Sequence, residues 1–296
     1  MKNLRKIIAL VICVMMVAAM FASCGSSENT DAGKADNASA AATDADTADT
    51  KAADTSADTE DADAALKDID KIVEKGKIVV GITDYAPMNY KDENDEWTGF
   101  DTEFAQAFAA ILGVDVEFVE IDWDNKWFAL ESGNVDCIWN GMTITEEAKL
   151  NADVSDAYVM NNQVLVTKTA NVKAYTEPSA VEGEVAVEAG SAGQSAAEDA
   201  ELNAVEYPLQ SDALLAVESG KAVACVIDKT MADAMTGEGT DYDDLSAAFA
   251  LTEEEYGVAF RKGSDLLAKF NDAIASLKDD GTLPALAEEY KLTLAD

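Results

Sequence analysis

The chain has 296 residues, and its 58 acidic side chains outnumber its 21 basic ones, giving a formal net charge of -37. So acidic a chain repels the phosphate backbone of nucleic acids, which excludes nucleic-acid binding. The sequence contains no histidine. This excludes Ser-His-Asp and Cys-His catalysis and removes the commonest zinc ligand, so we expect no metal or other cofactor.

The amino terminus has the pattern of a secretory signal. Basic residues at positions 2, 5 and 6 precede an apolar run from Ile7 to Met20 that contains one cysteine. Phe21-Ala22-Ser23 then lead into Cys24, a pattern typical of lipoprotein signals. The run is shorter than the roughly 20 residues that a membrane-spanning helix needs. We predict a signal peptide over residues 1–23 and a lipid such as palmitate on Cys24; an ordinary signal with an incidental cysteine is the alternative.

The segment 24–65 consists mainly of Ala, Asp, Thr and Ser. It has too few large apolar side chains to offset the entropy lost on ordering, and its charges repel one another. We predict a disordered, acidic tether. The remaining residues, about 230 of them, are sufficient for one or two α/β domains.

The first part of this remainder alternates strands and helices. The strand Lys77 to Ile82 is followed by a loop that contains Pro87. A helix with an apolar face follows Asp101 and ends at Gly113. A strand, a short helix and a third strand come next: Val114 to Phe118, Trp127 to Leu130, and Val135 to Trp139.

The second part repeats this βαβαβ order. Its predicted elements are the strand Glu184 to Glu188, the helix Ser191 to Ala200, the strand Ala204 to Tyr207, the helix Ser211 to Ser219 and the strand Val223 to Ile227. A further strand from Glu255 to Phe260 and two helices end the chain. The fold class is therefore α/β, with two βαβ-type lobes and a ligand cleft between them. Cys137 and Cys225 lie in apolar runs of different lobes, so we expect buried free thiols and no disulfide.

From about Lys75 onward the sequence resembles the polar amino-acid substrate-binding proteins of ABC importers, family 3 of the bacterial extracellular solute-binding proteins. The likeness rests on ordered short stretches: Val79-Val80-Gly81-Ile82, Tyr85-Ala86-Pro87, Thr98-Gly99-Phe100-Asp101, Gly133-Asn134-Val135-Asp136, Gly141-Met142-Thr143-Ile144-Thr145, Ser155-Asp156-Ala157-Tyr158, Glu188-Ala189-Gly190-Ser191, Tyr256-Gly257-Val258-Ala259-Phe260 and Asp280-Gly281-Thr282-Leu283.

The resemblance implies a type II periplasmic-binding fold. Residues 66–163 and 255–296 would form lobe I, and residues 164–254 would form lobe II. A two-strand hinge is expected near 161–164 and 251–256. We expect a monomer outside the cytoplasm, held to the cell membrane through Cys24, and the resemblance implies that it delivers an amino-acid-like ligand to a transporter permease.

In lobe I, the resemblance implies that Tyr85 and Trp123 sandwich the ligand. Core packing is the alternative for Trp123, and loop packing is the alternative for Tyr85. Because Trp123 lies between two aspartates, we expect it on a polar loop. Asn140, Gly141 and Thr143 would hold the ligand through a backbone carbonyl, a backbone amide and a hydroxyl; a plain tight turn at Asn140-Gly141 is compatible with this role.

In lobe II, the resemblance implies that the backbone amides of Ser191, Ala192 and Gly193, at the start of a helix, bind the ligand carboxylate. The family usually has a hydroxyl residue where Ala192 stands. Asp228 would bind the α-ammonium, with capping of the next helix as the alternative.

The largest departure from the family pattern is Ala148, where most relatives have an arginine that grips the ligand carboxylate. Lys149 could swing in, although one residue on a helix turns a side chain by about 100°. We expect a binding protein rather than an enzyme. A cyclohexadienyl-dehydratase-like enzyme on the same fold, or a ligand-sensing partner of a receptor, are the alternatives.

Overall fold

The structure is a computed structural model that describes residues 67–296. The predictions for the signal peptide, for Cys24 and for the tether concern residues outside this range. Between residues 67 and 296, no helix is both long and apolar enough to cross a membrane.

The strands, in chain order, are β1 (Lys77–Ile82), β2 (Tyr90–Lys91), β3 (Trp97–Thr98), β4 (Asp115–Glu120), β5 (Cys137–Thr143), β6 (Asp153–Val154), β7 (Val159–Asn161), β8 (Gln163–Lys168), β9 (Glu184–Glu188), β10 (Asn203–Tyr207), β11 (Ala224–Asp228), β12 (Leu245–Ala250) and β13 (Glu254–Phe260). The α-helices are α1 (Asp68–Lys75), α2 (Phe100–Leu112), α3 (Lys126–Glu131), α4 (Glu146–Asn151), α5 (Ala192–Asp199), α6 (Gln210–Glu218), α7 (Lys229–Met235), α8 (Leu266–Asp279) and α9 (Thr282–Tyr290).

The first sheet has six strands in the order β4-β1-β5-β13-β6, with β7 paired to β13. Strand β1 pairs in parallel with both β4 and β5, as expected when helices connect consecutive strands. Its sequence KIVVGI is buried over most of its length, which is typical of a central strand. A dense aromatic cluster lies beneath this sheet: the ring of Phe270 is 4.8 Å from that of Trp139 and 5.4 Å from that of Phe104, measured between centroids.

Strand β5 is longer than predicted and passes through Asn140 and Gly141. The tight turn considered at this dipeptide is therefore absent. Gly141 has a φ of +56° inside the strand, and the pairing of β5 with β13 shifts register between Gly257 and Ala259. The pair thus carries a β-bulge, a distortion that commonly re-aims strand residues beside a functional site.

The second sheet has five strands in the order β10-β9-β11-β8-β12. Strand β9 pairs in parallel with β10 and β11. Strand β8 pairs antiparallel with both β11 and β12. Strand β12 was not predicted. Its sequence LSAAFA lacks the alternation of apolar and polar side chains that normally marks a strand. Most of its residues are partly or fully exposed.

The chain passes between the two sheets at two places. It leaves β7 at Asn161 and enters β8 at Gln163, and it leaves β12 at Ala250 and enters β13 at Glu254. These crossings fall where the hinge was predicted, while the lobe boundaries and any hinge motion remain predictions. Cys137 in the first sheet and Cys225 in the second are buried and free, as predicted.

Candidate functional site

A cavity of about 170 Å³ lies between the two sheets, lined from both sides. It sits where β1, β9 and β11 end, the usual location of ligands in α/β folds. Eight of the nine predicted site residues line it: Tyr85, Trp123, Asn140, Gly141, Thr143, Ser191, Ala192 and Asp228. The structure therefore brings these residues together, while their role as ligand contacts remains a prediction.

Gly193 is the predicted site residue that does not line the cavity. It is buried in the first turn of α5. A Cβ atom built on it would lie 2.8 Å from the side-chain oxygen of Gln163 and 3.0 Å from the carbonyl oxygen of Val226. Glycine therefore allows close packing of α5 against the second sheet, and the contact predicted for the Gly193 amide stays a prediction.

Tyr85 closes one side of the cavity and links the two sheets. Its side chain is buried, and its hydroxyl lies 2.5 Å from the hydroxyl of Thr230 in α7 and 2.6 Å from that of Tyr256 in β13. A Cβ atom on Gly141 would lie only 2.6 Å from the Tyr85 ring. Gly141 therefore allows the ring to pack directly on the β5 backbone.

Trp123 lies in a 3-10 helix, Trp123–Asn125, rather than on an exposed loop. It is 7% exposed and packs in a hydrophobic cluster with Leu130 and Ile138. It also lines the cavity, so core packing does not exclude the predicted ligand contact. The flanking aspartates suggested a polar loop, but Asp122 instead caps the 3-10 helix, where its side chain accepts a hydrogen bond from the Asp124 amide.

Two of the β5 groups expected to hold the ligand, the Gly141 amide and the Thr143 hydroxyl, are engaged within the protein, and so is the Asn140 side chain. The Asn140 side chain accepts a hydrogen bond from the Thr83 amide at 3.0 Å and donates to the Thr83 carbonyl at 3.0 Å. The Gly141 amide donates to Asp101 at 2.6 Å. The Thr143 hydroxyl donates to Glu254 at 2.9 Å. These groups therefore build the wall of the cavity, and the Gly141 amide is not free for a ligand.

Asp228 is a buried carboxylate at the end of β11. Its Oδ1 atom accepts hydrogen bonds from Asn161 at 2.5 Å, from Gln163 at 2.8 Å and from the Tyr256 hydroxyl at 2.9 Å. Gln210 donates to its other oxygen. Burial, reinforced by the charge of Glu254, raises the pKa of Asp228 to about 7. Its side chain does not cap α7, so the capping alternative is wrong.

Glu188, at the end of β9, is a second buried carboxyl group in the cavity that the sequence interpretation missed. Burial, followed by the nearby charge of Asp228, raises its pKa to about 8. The sequence contained a signal for this residue, because Glu188 ends the predicted strand Glu184 to Glu188. A residue that ends a parallel strand lies at the edge of the sheet where ligands bind.

Lys126, in the first turn of α3, was also missed. It lines the cavity and is 6% exposed. Its ammonium lies 5.1 Å from the ring centroid of Trp123 and 5.2 Å from that of Trp127. It donates to the Gly190 carbonyl at 2.7 Å and to the Trp123 carbonyl at 3.2 Å. Burial lowers the pKa of Lys126, while the carboxylates of three nearby acidic residues oppose that shift.

Of the three amides predicted at the start of α5, that of Ser191 is engaged, while those of Ala192 and Gly193 have no acceptor among the described residues. The Ser191 amide donates to the Glu188 carbonyl at 3.3 Å, and the Ser191 hydroxyl caps the helix by accepting from the Gln194 amide at 3.0 Å. Ala192 lines the cavity, and its amide has no acceptor among the described residues. The predicted contribution of Ser191 through its backbone amide is thus corrected.

Ala148 also lines the cavity, is 1% exposed and belongs to the same hydrophobic cluster as Trp123. Lys149 does not replace the missing arginine: its ammonium pairs with Glu146 at 2.9 Å, and half of its side chain is exposed. The 100° turn per residue places it on the outer face of α4.

Comparison with known proteins gives a consistent result. The chain is 30% identical to the arginine-binding extracellular protein ArtP of Bacillus subtilis (73% of this chain, 86% of ArtP). It is 29% identical to the L-cystine-binding protein TcyJ of Escherichia coli K12 (75% of this chain, 85% of TcyJ). The crystal structure of the ancestral amino acid-binding protein AncCDT-1, a precursor of cyclohexadienyl dehydratase, matches with a TM-score of 0.69 and 33% identity (75% of this chain, 98% of that one).

These relatives are named as binding proteins, and the solved structure shares the fold of this chain. The model for bacterial extracellular solute-binding proteins, family 3, matches residues 78–293. The chain belongs to family 3 of the bacterial extracellular solute-binding proteins.

Proposed function

We propose that this protein is the extracytoplasmic binding component of an ABC importer and that its ligand is an amino acid or a similar small molecule. The observation that carries the proposal is Asp228, a buried carboxylate in a cavity that both sheets line. A buried acid with access to a cavity suits the α-ammonium group of an amino acid, because a charge-assisted hydrogen bond is roughly twice as strong as a neutral one. The named ligands of the relatives, arginine and cystine, support the same class.

In the proposed complex, the ammonium binds Asp228 and the rings of Tyr85 and Trp123 contact the ligand's apolar surface. Aromatic rings provide large contact areas at low conformational cost. Glu147 also lines the cavity, and its carboxylate opposes acidic ligands; Glu188 lines it too, but with a pKa raised to about 8 it is mostly uncharged at neutral pH. Neutral and aromatic amino acids are therefore better candidates than aspartate or glutamate.

A thermal-shift screen of the purified protein against the common amino acids and their amines tests this function. A ligand that binds only the folded state raises the melting temperature by mass action. We expect at least one amino acid to give a concentration-dependent rise, and the same compound to give a much smaller rise with Asp228→Asn. A screen in which no amino acid or amine shifts the wild-type protein would contradict the proposal.

The alternative of an enzyme has one observation in its favour. Glu188 and Asp228 have pKa values raised to about 8 and 7, which is the range of an effective general acid or base. The similarity to a precursor of cyclohexadienyl dehydratase points to the reaction to test. We propose binding without turnover, so the purified protein should leave a cyclohexadienyl carboxylate unchanged while binding an amino acid; turnover would reverse the assignment.

We further propose that residues 1–23 are removed on export and that Cys24 carries a lipid, with residues 24–65 acting as a tether. The motif before Cys24 supports this proposal. Labelled palmitate should enter the wild-type protein and not Cys24→Ser, and the variant should be released from membranes. Retention of the label in Cys24→Ser would contradict lipidation at this residue.

We propose that the protein is a monomer whose two lobes close on the ligand. Lobe I comprises residues 66–163 and 255–296, and lobe II comprises residues 164–254. The crossings near Gln163 and Glu254 support a hinge there. Small-angle scattering should show a smaller radius of gyration with saturating ligand and a mass of one chain in both states. An unchanged radius would contradict closure. A sensing role would instead be favoured by binding to a receptor domain in the absence of a permease.

A further inference from the structure

Lys126 is the sole cationic side chain among the described residues that line the cavity. It comes from the first-sheet side, in α3, and reaches across the cavity to the Gly190 carbonyl, two residues before the start of α5. Both cavity-facing tryptophan rings hold its ammonium in place. The position of this charge is therefore fixed by packing and does not depend on a flexible surface side chain.

The ammonium has hydrogen-bonding capacity to spare. A lysine has three donors, and Lys126 uses two of them, both on backbone carbonyls. Within residues 67–296 no carboxylate lies close enough to form an ion pair with it. Burial of this charge is reflected in its lowered pKa. A buried charge without a direct counterion is costly unless a ligand supplies one.

The amide of Ala192, which has no acceptor among the described residues, adds a second donor at the cavity. Helix α5 begins at Ala192, and a helix amino terminus carries a partial positive charge. The ammonium and this helix end are two positive groups at the cavity, which the carboxyl groups of Asp228, Glu188 and Glu147 also line. A cavity that holds both kinds of group suits a ligand that carries both a negative and a positive charge.

We propose that Lys126 binds the carboxylate of the ligand, together with the Ala192 amide, and so supplies the cationic contact that Ala148 cannot make. This inference rests on the proposed function, since it assigns one end of the proposed amino-acid ligand. It makes Lys126 a specificity-determining residue: it favours an amino acid over the amine that lacks the carboxylate.

The test compares an amino acid with its decarboxylated amine by isothermal titration calorimetry. The pair is L-arginine with agmatine, or L-histidine with histamine, whichever amino acid gives the larger shift in the thermal screen. The variant is Lys126→Met, which keeps most of the apolar stem and removes the charge. Lys221→Met is the matched control, because the Lys221 ammonium lies 4.8 Å from the Tyr207 ring and this lysine does not line the cavity.

We expect wild-type protein and Lys221→Met to bind the amino acid at least about tenfold more tightly than the amine. In Lys126→Met the amino acid should bind about tenfold more weakly while the amine changes less than about threefold, so the preference disappears. Lys126→Arg should keep the preference. The ratio of the two affinities is measured on the same folded molecules, so partial loss of folding does not alter it.

Equal weakening of both compounds in Lys126→Met would show that Lys126 only links the two sides of the cavity, and it would overturn the proposal. An unchanged preference would overturn it as well. Equal wild-type binding of amino acid and amine would show that no carboxylate contact exists. In each of these cases binding persists in the wild type, so the proposed function survives; if neither compound nor any other amino acid or amine binds, it is the proposed function that fails.

Discussion

Asp101 and Asp228 are both buried, but they face different surroundings. Burial raises the pKa of each to about 7. Asp101, in the first turn of α2, accepts hydrogen bonds from the Gly141 amide and from the Tyr158 hydroxyl at 3.0 Å, and it does not line the cavity. Asp228 does line it. A raised pKa therefore reports burial, and access to the cavity distinguishes the proposed ligand-binding acid from the structural one.

The largest effect on affinity is expected from Asp228→Asn. Loss of a charge-assisted hydrogen bond costs about 1.5–3 kcal/mol, so the amino acid identified in the thermal screen should bind roughly 10- to 150-fold more weakly by calorimetry. Asparagine keeps the shape of the side chain, which limits structural damage. An affinity within threefold of wild type would remove Asp228 from its proposed role.

The next effect is the dependence of affinity on pH. An ammonium prefers the ionised form of Asp228, whose pKa is about 7. Lowering the pH from 8 to 6 reduces the ionised fraction from about nine tenths to about one tenth, so affinity should fall about tenfold. Titrations in matched buffers at pH 6, 7 and 8 measure this fall. A flat profile in the wild-type protein would mean that ionised Asp228 does not bind the ligand.

Stability of the ligand-free protein should change in the same pH range with the opposite sign. The folded state holds the protons of Asp101 and Asp228 up to a pKa of about 7, whereas the ordinary value is 3.8. Folding is therefore favoured at low pH, and stability falls as pH rises from about 4 to 7. The melting temperature should be lower at pH 8 than at pH 5 by at least about 3 °C.

In each of the variants Asp101→Asn and Asp228→Asn this decline should be shallower than in the wild-type protein. The two aspartates contribute to it in the same way, because burial acts on both. A slope that neither variant changes would show that other groups, including the large net negative charge of -37, determine the pH dependence.

The smallest effect on affinity is expected from Asp101→Asn. The asparagine carbonyl can still accept from the Gly141 amide, so the wall of the cavity should keep its shape. Affinity should stay within about threefold of wild type, and its fall between pH 8 and pH 6 should persist. Loss of that fall in Asp101→Asn would show that Asp101, rather than Asp228, is the acid whose ionisation the ligand detects.

Much of the fold could be predicted because its signals are local. The strand Glu184–Glu188 was predicted to the residue, and α2 ends at the predicted Gly113, whose φ is +74°. Strand β12 lacked such a signal, since it is held by its pairing with β8 rather than by apolar alternation. Pairing between distant segments is not visible in the local pattern.

The site was less predictable because it depends on what each polar group already contacts. The family resemblance identified the position of Gly141 but not the use of its amide by Asp101. It placed Trp123 at the cavity but not in the core as well. Lys126 was missed because a lysine in a helix usually faces solvent; only the packing of α3 shows that this one is buried.

The arrangement of indole rings around Lys126 has an optical consequence. The protein has four tryptophans, and two of them, Trp123 and Trp127, line the cavity with the ammonium over both rings. Trp139 is fully buried in the core, and Trp97 packs against Phe118; neither lines the cavity. A carboxylate bound to the ammonium would weaken the electric field that this charge exerts on the cavity pair, so their emission should change while that of the other two stays constant. The protein should therefore report occupancy of its own cleft through intrinsic fluorescence, without an attached dye.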